Sequence, residues 1–312
     1  MSFAQMNALA KKRTPFLFIT DFKAQNIQVF TLDTLKENDI EFCINKDYKV
    51  KKHQHFLQSK PIDFQTYKKK FDIIIQKIQA GETYILNLTA QTPIQTELGL
   101  KEMYRVANAR YKLRFKDKFI CFSPETFIEI TENSIHTYPM KGTIDSSIQN
   151  AQAKILANEK EIAEHIMIVD LLRNDLSIVA TDVRVEAFRE VLTLNAGDKE
   201  LLQISSHISG QLDERWHEKV GTILQSLLPA GSISGAPKKS TVSIIEAIEE
   251  YNRGYFSGVF GIYDGKTLQS GVMIRFIEKI DKGFIYKSGG GITLDSDVKS
   301  EYAELQDKIY LP

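Results

Sequence analysis

Tyr138-Pro139-Met140-Lys141-Gly142-Thr143 is the stretch on which the reading of this chain turns. Proline fixes φ and withholds a backbone donor, and glycine lets the backbone turn without a Cβ clash, so the lysine between them is an aimed amine. Turn chemistry alone favours an ordinary solvated lysine. The choice between the two rests on the segments around it.

Working outward, Phe119-Ile-Cys-Phe122, Thr126-Phe-Ile-Glu-Ile130 and Ser134-Ile-His-Thr-Tyr138 read as successive strands. Ser123-Pro124-Glu125 interrupts the first pair, which puts Glu125 and Lys141 at strand ends where they can meet at one sheet edge. Asn158 to Leu172 has helical spacing, with Ile162, Ile166, Val169 and Leu172 on one face, and it carries Glu161 and Glu164 three residues apart. Ser300 to Ile309 reads as a closing helix that repeats the spacing with Glu301 and Glu304, with Lys308 one turn further on. If the two helices meet, four carboxylates converge. Like charges gather only around a cation, and an oxygen-only donor set favours a hard ion such as Mg²⁺; two solvated helix faces are the plain alternative.

Ser288-Gly289-Gly290-Gly291 offers main-chain amides to an anion, or is simply a flexible hairpin end. Gly231-Ser-Ile-Ser-Gly-Ala-Pro-Lys238 lacks the Gly-Lys-Ser/Thr of a phosphate loop, so nucleotide binding is rejected, while a turn donating amides at a helix start remains. Arg275 lies in the apolar run Val272-Met-Ile-Arg-Phe-Ile277 and needs a carboxylate partner, from substrate or from the chain itself. His165 and His207 read as hydrogen-bonded structural histidines before they read as catalysts.

The remaining elements alternate between strand and helix: strands at Pro15–Asp21, Ile27–Leu32, Thr83–Thr89, Val183–Phe188 and Leu202–Leu212, and helices at Asp63–Ala80, Leu98–Arg110, Trp216–Leu228 and Pro237 to about Tyr251. Gly254–Gly265 reads as a strand ending in a turn, and Gly271–Lys279 with Gly283–Ser288 as a hairpin pair. The 312 residues carry 40 basic and 40 acidic side chains, which removes the electrostatic case for nucleic-acid or membrane-surface binding. Cys43 and Cys121 sit in apolar surroundings, as buried thiols of a reducing compartment do. With no run of roughly 18 apolar residues, a cytoplasmic protein is expected.

Taken together these segments resemble the chorismate-utilising enzymes: anthranilate synthase component I, aminodeoxychorismate synthase component I, and the isochorismate and salicylate synthases. The resemblance runs from about Phe64 to the carboxyl terminus. It is carried by Ser123-Pro124-Glu125, Pro139–Thr143, Glu161-Ile-Ala-Glu-His-Ile-Met-Ile-Val-Asp-Leu-Leu-Arg-Asn-Asp-Leu176, Pro229–Lys238, Arg253-Gly-Tyr-Phe-Ser-Gly258 and Ser288–Glu301. It implies the α+β anthranilate-synthase-like fold, sheets and flanking helices around a central cleft, as one catalytic domain over 1–312 with a shortened amino-terminal portion at about 1–60 and no tryptophan feedback site.

Pro-x-Lys-Gly-Thr is the aminodeoxychorismate synthase pattern within that family; anthranilate synthases have alanine at the lysine. The resemblance therefore implies conversion of chorismate and ammonia to 4-amino-4-deoxychorismate, toward 4-aminobenzoate and folate. Lys141 would add at C2 and Glu125 would act as general acid and base. Mg²⁺ would sit on Glu164 and Glu304, with Glu161 and Glu301 acting directly or through water. Thr143, Ser232, Arg275, Gly290, Gly291, Lys308 and His207 would bind substrate. No Gly-x-Cys-x-Gly nucleophile is present, so a glutamine amidotransferase subunit is implied as the ammonia source, and a separate lyase for pyruvate release. Relatives often carry glutamine where Ile85 stands ahead of Asn87. Nitrogen delivered to C2, or isochorismate or salicylate formation, are the alternatives inside the family, and a catalytically silent chorismate-binding subunit the alternative outside enzymes.

Overall fold

Two sheets, antiparallel in every pairing, carry the chain in this computed structural model, which describes residues 2–45, 57–196 and 199–312. Residues 46–56, inside the amino-terminal portion expected to be shortened, lie outside the described residues. One sheet runs, in spatial order, through Met140–Asp145, Lys199–Gln211, Ser134–Thr137, Thr126–Thr131, Leu268–Val272, Val259–Tyr263, Phe16–Thr20 and Ile27–Thr31, with Thr181–Ala196 paired to the far edge of Lys199–Gln211. The other runs through Gly235–Ala236, Ile85–Gln95, Gly283–Ile292, Phe276–Ile280, Phe119–Ser123, Tyr111–Phe115 and Ile40–Ile44, with Gln58–Ser59 beside Ile85–Gln95.

Strand Phe16–Thr20 shows how the layers are stacked. All five residues are buried, and because successive side chains face opposite ways, Leu17 and Ile19 enter a core shared with Tyr111, Leu113, Phe119 and Phe276 of the second sheet. Phe16 and Phe18 face the other way, into a cluster with Met6, Trp216, Val220 and Leu224 from the helical layer. The amino-terminal helix Phe3–Lys11 belongs to that layer and was not foreseen from the sequence. Cys43 and Cys121 are buried and form no disulfide, as expected.

Two of the points where the chain passes directly from a strand of one sheet to a strand of the other are neighbours. Phe119–Ser123 belongs to one sheet and Thr126–Thr131 to the other, so Ser123-Pro124-Glu125 is a crossover and not the interrupted edge expected from sequence. The second crossover separates Leu268–Val272 from Phe276–Ile280, and Arg275 lies in it. The run Val272–Ile277 is therefore not one strand, and Arg275 adopts φ 49°, the left-handed region that a branched or long side chain rarely occupies. Backbone bonds tie the crossovers together: the amide of Val272 donates to Glu125 O at 3.1 Å and that of Phe122 to Arg275 O at 3.3 Å.

Helix Glu159–Ser177 starts where Asn158 accepts from the Glu161 amide, a side-chain cap. Its buried stripe is Glu164, His165, Ile168, Val169, Leu172, Asp175 and Leu176, while Ile166 is half exposed. The apolar face expected through Ile166 is thus rotated, and the rotation turns a glutamate and a histidine inward. Helix Leu100–Val106 is shorter than the stretch 98–110 expected. No described helix is long and apolar enough to cross a membrane.

Candidate active site

Lys141 does not sit in a turn. Met140–Asp145 is an edge strand of the first sheet, and its register against Lys199–Gln211 slips between Lys141, opposite Ile204, and Thr143, opposite Gln203. Gly142 is the extra residue of that bulge, at φ 72°, a conformation glycine takes without cost. A bulge of this kind re-aims neighbouring side chains, and here both Lys141 and Thr143 line one cavity of about 370 Å³. Gly142, Lys160, Glu161, Glu164, Gly291, Glu301, Glu304 and Lys308 complete the lining. Its volume lies in the range of small-molecule sites.

The two glutamate pairs therefore do meet, Glu161 and Glu164 from helix Glu159–Ser177 and Glu301 and Glu304 from helix Val298–Asp307. Asp297 caps the second helix by accepting from the Ser300 amide, which sets Glu301 in its first turn. Ammonium groups stand between the carboxylates. Lys141 Nζ lies 3.3 Å from Glu164, Lys308 Nζ 2.7 Å from Glu304, and Lys160 Nζ 2.6 Å from Glu301 and 3.7 Å from Glu164. Ser296 also donates to Glu301, at 2.8 Å.

Electrostatics follow from this arrangement. Burial pulls the Lys141 ammonium toward losing its proton, but Glu164, Glu161 and Glu304 outweigh it and raise its pKa above the ordinary value. The neutral amine anticipated from sequence is thus not what these residues favour. Burial and the charge of Glu164 push Glu161 up. Glu304 goes down: burial pushes it up, and Lys308, Lys141 and Lys160 together outweigh that.

A hard divalent cation fits the donor set, which is four carboxylates with no thiolate or imidazole among them. As they stand, no three acidic side chains among the described residues close on one point as ligands would. The single convergence point expected from sequence is instead a shared pocket bridged by lysines.

Glu125 sits behind the lining. Burial raises its carboxyl pKa, while a hydrogen bond from the Ser232 hydroxyl and the charges of Lys141 and Lys308 act the other way. Ser123 Oγ accepts from the Glu125 amide at 3.0 Å, fixing the crossover. Ser232, in the turn Gly231–Ser234, thus touches the candidate acid and base. The turn is itself held by Arg253, which donates to Ile233 O and Asn87 O and pairs with Glu249 at 2.6 Å.

Gly290 and Gly291 are not a free hairpin end or a nest. They lie within strand Gly283–Ile292, opposite Leu88 and Asn87. Their smallness is what the site uses: a Cβ on Gly291 would stand 3.3 Å from Lys141 Nζ and 3.5 Å from Ile85, and one on Gly290 3.3 Å from Glu301. Lys308 Nζ also donates to Gly289 O at 2.8 Å.

Arg275 has no carboxylate partner among the described residues; its guanidinium lies 5.1 Å over the Tyr310 ring. His207 is not brought to the cavity lining: its Nε2 is 3.1 Å from His136 Nδ1 and its ring stacks on Tyr138. His165 is fully buried against Ser206 Oγ at 2.7 Å, the structural role read for it. Lys160 was missed from sequence, although its place four residues before Glu164 marks it as a neighbour on the same helix face.

Residues 20–311 match the model of the chorismate binding enzyme family. An uncharacterized PabA-like protein of Haemophilus influenzae is 45% identical over 99% of this chain and 95% of its own length. Aminodeoxychorismate synthase component 1 of Bacillus subtilis is 31% identical over 76% of this chain, a match spanning 52% of that protein. Among solved structures, anthranilate synthase component I from Streptococcus pneumoniae superposes with a TM-score of 0.69 at 26% identity, covering 81% of this chain and 58% of that one. The α+β fold of the anthranilate synthase component I type is the fold observed.

Proposed function

Because the chain belongs to the chorismate binding enzyme family, we propose that it is an aminodeoxychorismate synthase component, adding ammonia to chorismate to give 4-amino-4-deoxychorismate. The observation that carries this reading is Lys141, the first residue of Lys-Gly-Thr, opening into the carboxylate-lined cavity with Glu125 behind it. Replacing the C4 hydroxyl by an amine with retained geometry takes two displacements. The Lys141 amine bonds to C2 as the C4–O bond breaks, and Glu125 gives its proton to the departing hydroxyl, which leaves as water. Ammonia then attacks C4, the C2–N bond to Lys141 breaks, and Glu125 takes up the proton ammonia sheds.

Glu125 suits the acid role because burial holds its proton. Arg275 and Lys308 are the cations proposed for the enolpyruvyl carboxylate, with Gly290 and Gly291 leaving room for substrate beside Lys308 and Lys141, and Thr143 for the ring. Glu164 and Glu304, with Glu161 and Glu301 beside them, would hold Mg²⁺. Bound there, the ion would meet the ring carboxylate and offset the negative charge that keeps Lys141 protonated. Ammonia would come from a glutamine amidotransferase partner.

Incubation with chorismate, Mg²⁺ and ¹⁵N-ammonium tests the reading, with NMR locating the nitrogen. Nitrogen at C4 is the expected product. Withholding ammonium should leave protein heavier by chorismate less one water, on Lys141, and Lys141→Ala should lose both adduct and product. Anthranilate as the product, or amination by Lys141→Ala, refutes it.

A further inference from the structure

Among the described residues, Lys160 is the one cavity-lining cation that the proposed chemistry does not use. It rises from helix Glu159–Ser177 and reaches across to helix Val298–Asp307, bonding Glu301 at 2.6 Å while staying 3.7 Å from Glu164 on its own helix. It thus bridges the two elements whose carboxylates face each other. Its side chain keeps 32% of its surface in solvent, so a path out of the pocket is open to it. Lysine suits a displaceable bridge, because its charge is a point on a flexible four-carbon stem with no fixed fork to hold it.

The charges in the cavity sharpen the point. Three ammonium groups, on Lys141, Lys160 and Lys308, face four carboxylates, and each ammonium bonds at least one of Glu164, Glu301 and Glu304. Glu161 forms no ion pair among the described residues. Two of the four carboxylates proposed for the metal are engaged by Lys160, so that ammonium stands between them. A cation bound to Glu164 and Glu301 and the Lys160 ammonium exclude each other on electrostatic grounds.

We infer that Lys160 is an intramolecular competitor for the divalent cation: it closes the acidic pocket when no cation is bound and leaves Glu301 and Glu164 when one enters. This rests on the metal reading of the four glutamates. The Lys160 end of these pairs reaches solvent while Glu301 and Glu164 are buried, so a divalent ion that neutralises the carboxylates releases the ammonium to water, and the cost of breaking the pair appears directly in the cation's dissociation constant. Lys160 would then hold the two helices together in the cation-free protein and set the concentration at which the cation takes over.

Calorimetric titration of the full chain with Mn²⁺ alone, without chorismate, tests this on wild type, Lys160→Met and Lys160→Arg. Lys160→Met should bind Mn²⁺ roughly tenfold more tightly, the equivalent of one charge-assisted hydrogen bond no longer broken, and should melt at lower temperature in chelator, with Mn²⁺ restoring it. Lys160→Arg should bind no more tightly than wild type. A second readout needs no variant: acetylation of Lys160 in wild type, followed by mass spectrometry, should speed up when Mn²⁺ is added. Unchanged or weaker Mn²⁺ binding in Lys160→Met, or slower acetylation of Lys160 with Mn²⁺, overturns the competitor role while leaving the metal reading intact. No Mn²⁺ binding by any of the three proteins overturns both.

Discussion

Removing the Ser232 hydroxyl should move one limb of the pH–rate profile and leave its origin traceable. That hydroxyl donates to Glu125, and the bond favours the carboxylate over the acid. Burial works against it and prevails, so Glu125 already holds its proton above the usual carboxylate range. Ser232→Ala deletes the opposing contribution, and the limb reporting Glu125 must shift to higher pH. A hydrogen bond to a charged group contributes about 1.5–3 kcal/mol, and at about 1.36 kcal/mol per pH unit the limb moves by roughly 1 to 2 on the pH axis. The assay is the initial rate of chorismate loss with saturating ammonium and Mg²⁺ from pH 4.5 to 9.5, read by its midpoints so that a change in substrate affinity does not confuse it. Glu125→Gln identifies the limb, because it should erase it and lower the rate by about 10²–10⁴-fold, the range for a positioned acid and base. A Ser232→Ala limb that stays in place or moves to lower pH refutes the assignment of Ser232 as the residue that tunes Glu125.

Gly142→Ala should cost about 1–2 kcal/mol from the left-handed backbone, since its Cβ would meet only ordinary contacts at 3.5 Å from Ile155 and Glu161; amination should fall further than stability, and Gly142→Asn, whose side chain tolerates that region, should recover part of it. Equal activity in the two variants removes the bulge as the device that aims Lys141. Stability should fall in acid through His217, which burial and the Arg13 guanidinium hold down at about 4 against 6.5. The unfolded chain takes up that proton near pH 6.5 and the folded one only near 4, so this stabilisation is complete above pH 6.5 and is lost as pH drops toward 4, by about 3 kcal/mol. Chemical denaturation at pH 7 and pH 4.5 checks it, and His217→Gln should flatten the difference; an unchanged slope rules His217 out.

Much of the site could be read along the chain because its residues sit in short, spaced sets. Glu161 with Glu164, and Glu301 with Glu304, declare a helix face by their interval alone, and Pro139 and Gly142 mark Lys141 as held. What escaped was whatever depends on partners far away. Tyr111–Phe115 is a fully buried strand, yet Lys112 and Arg114 break its apolar pattern; they are tolerated because Lys112 caps the carbonyls of Tyr104 and Ala107 while Arg114 pairs with Asp39 and Glu41. Arg275 hid a strand break, since the apolar residues on its two sides serve different sheets and composition does not change between them. Ile166 falls on the buried face only where the polar residues of the helix point outward, and Glu164 and His165 do not.

The lysine proposed as nucleophile is also the lysine whose surroundings oppose that role. Losing a proton from Lys141 would leave two ammonium groups against four carboxylates, and chorismate brings two more carboxylates of its own. Burial alone pulls Lys141 toward the neutral amine, but three glutamates pull harder. On the proposed chemistry positive charge has to arrive with the substrate, and the glutamates that hold the proton are the ones proposed to receive it. This makes Mg²⁺ and the nucleophile a single proposal: chelator should abolish the Lys141 adduct itself as well as ammonia incorporation. An adduct that forms at an undiminished rate in chelator would mean that the chain releases the Lys141 proton by some other route.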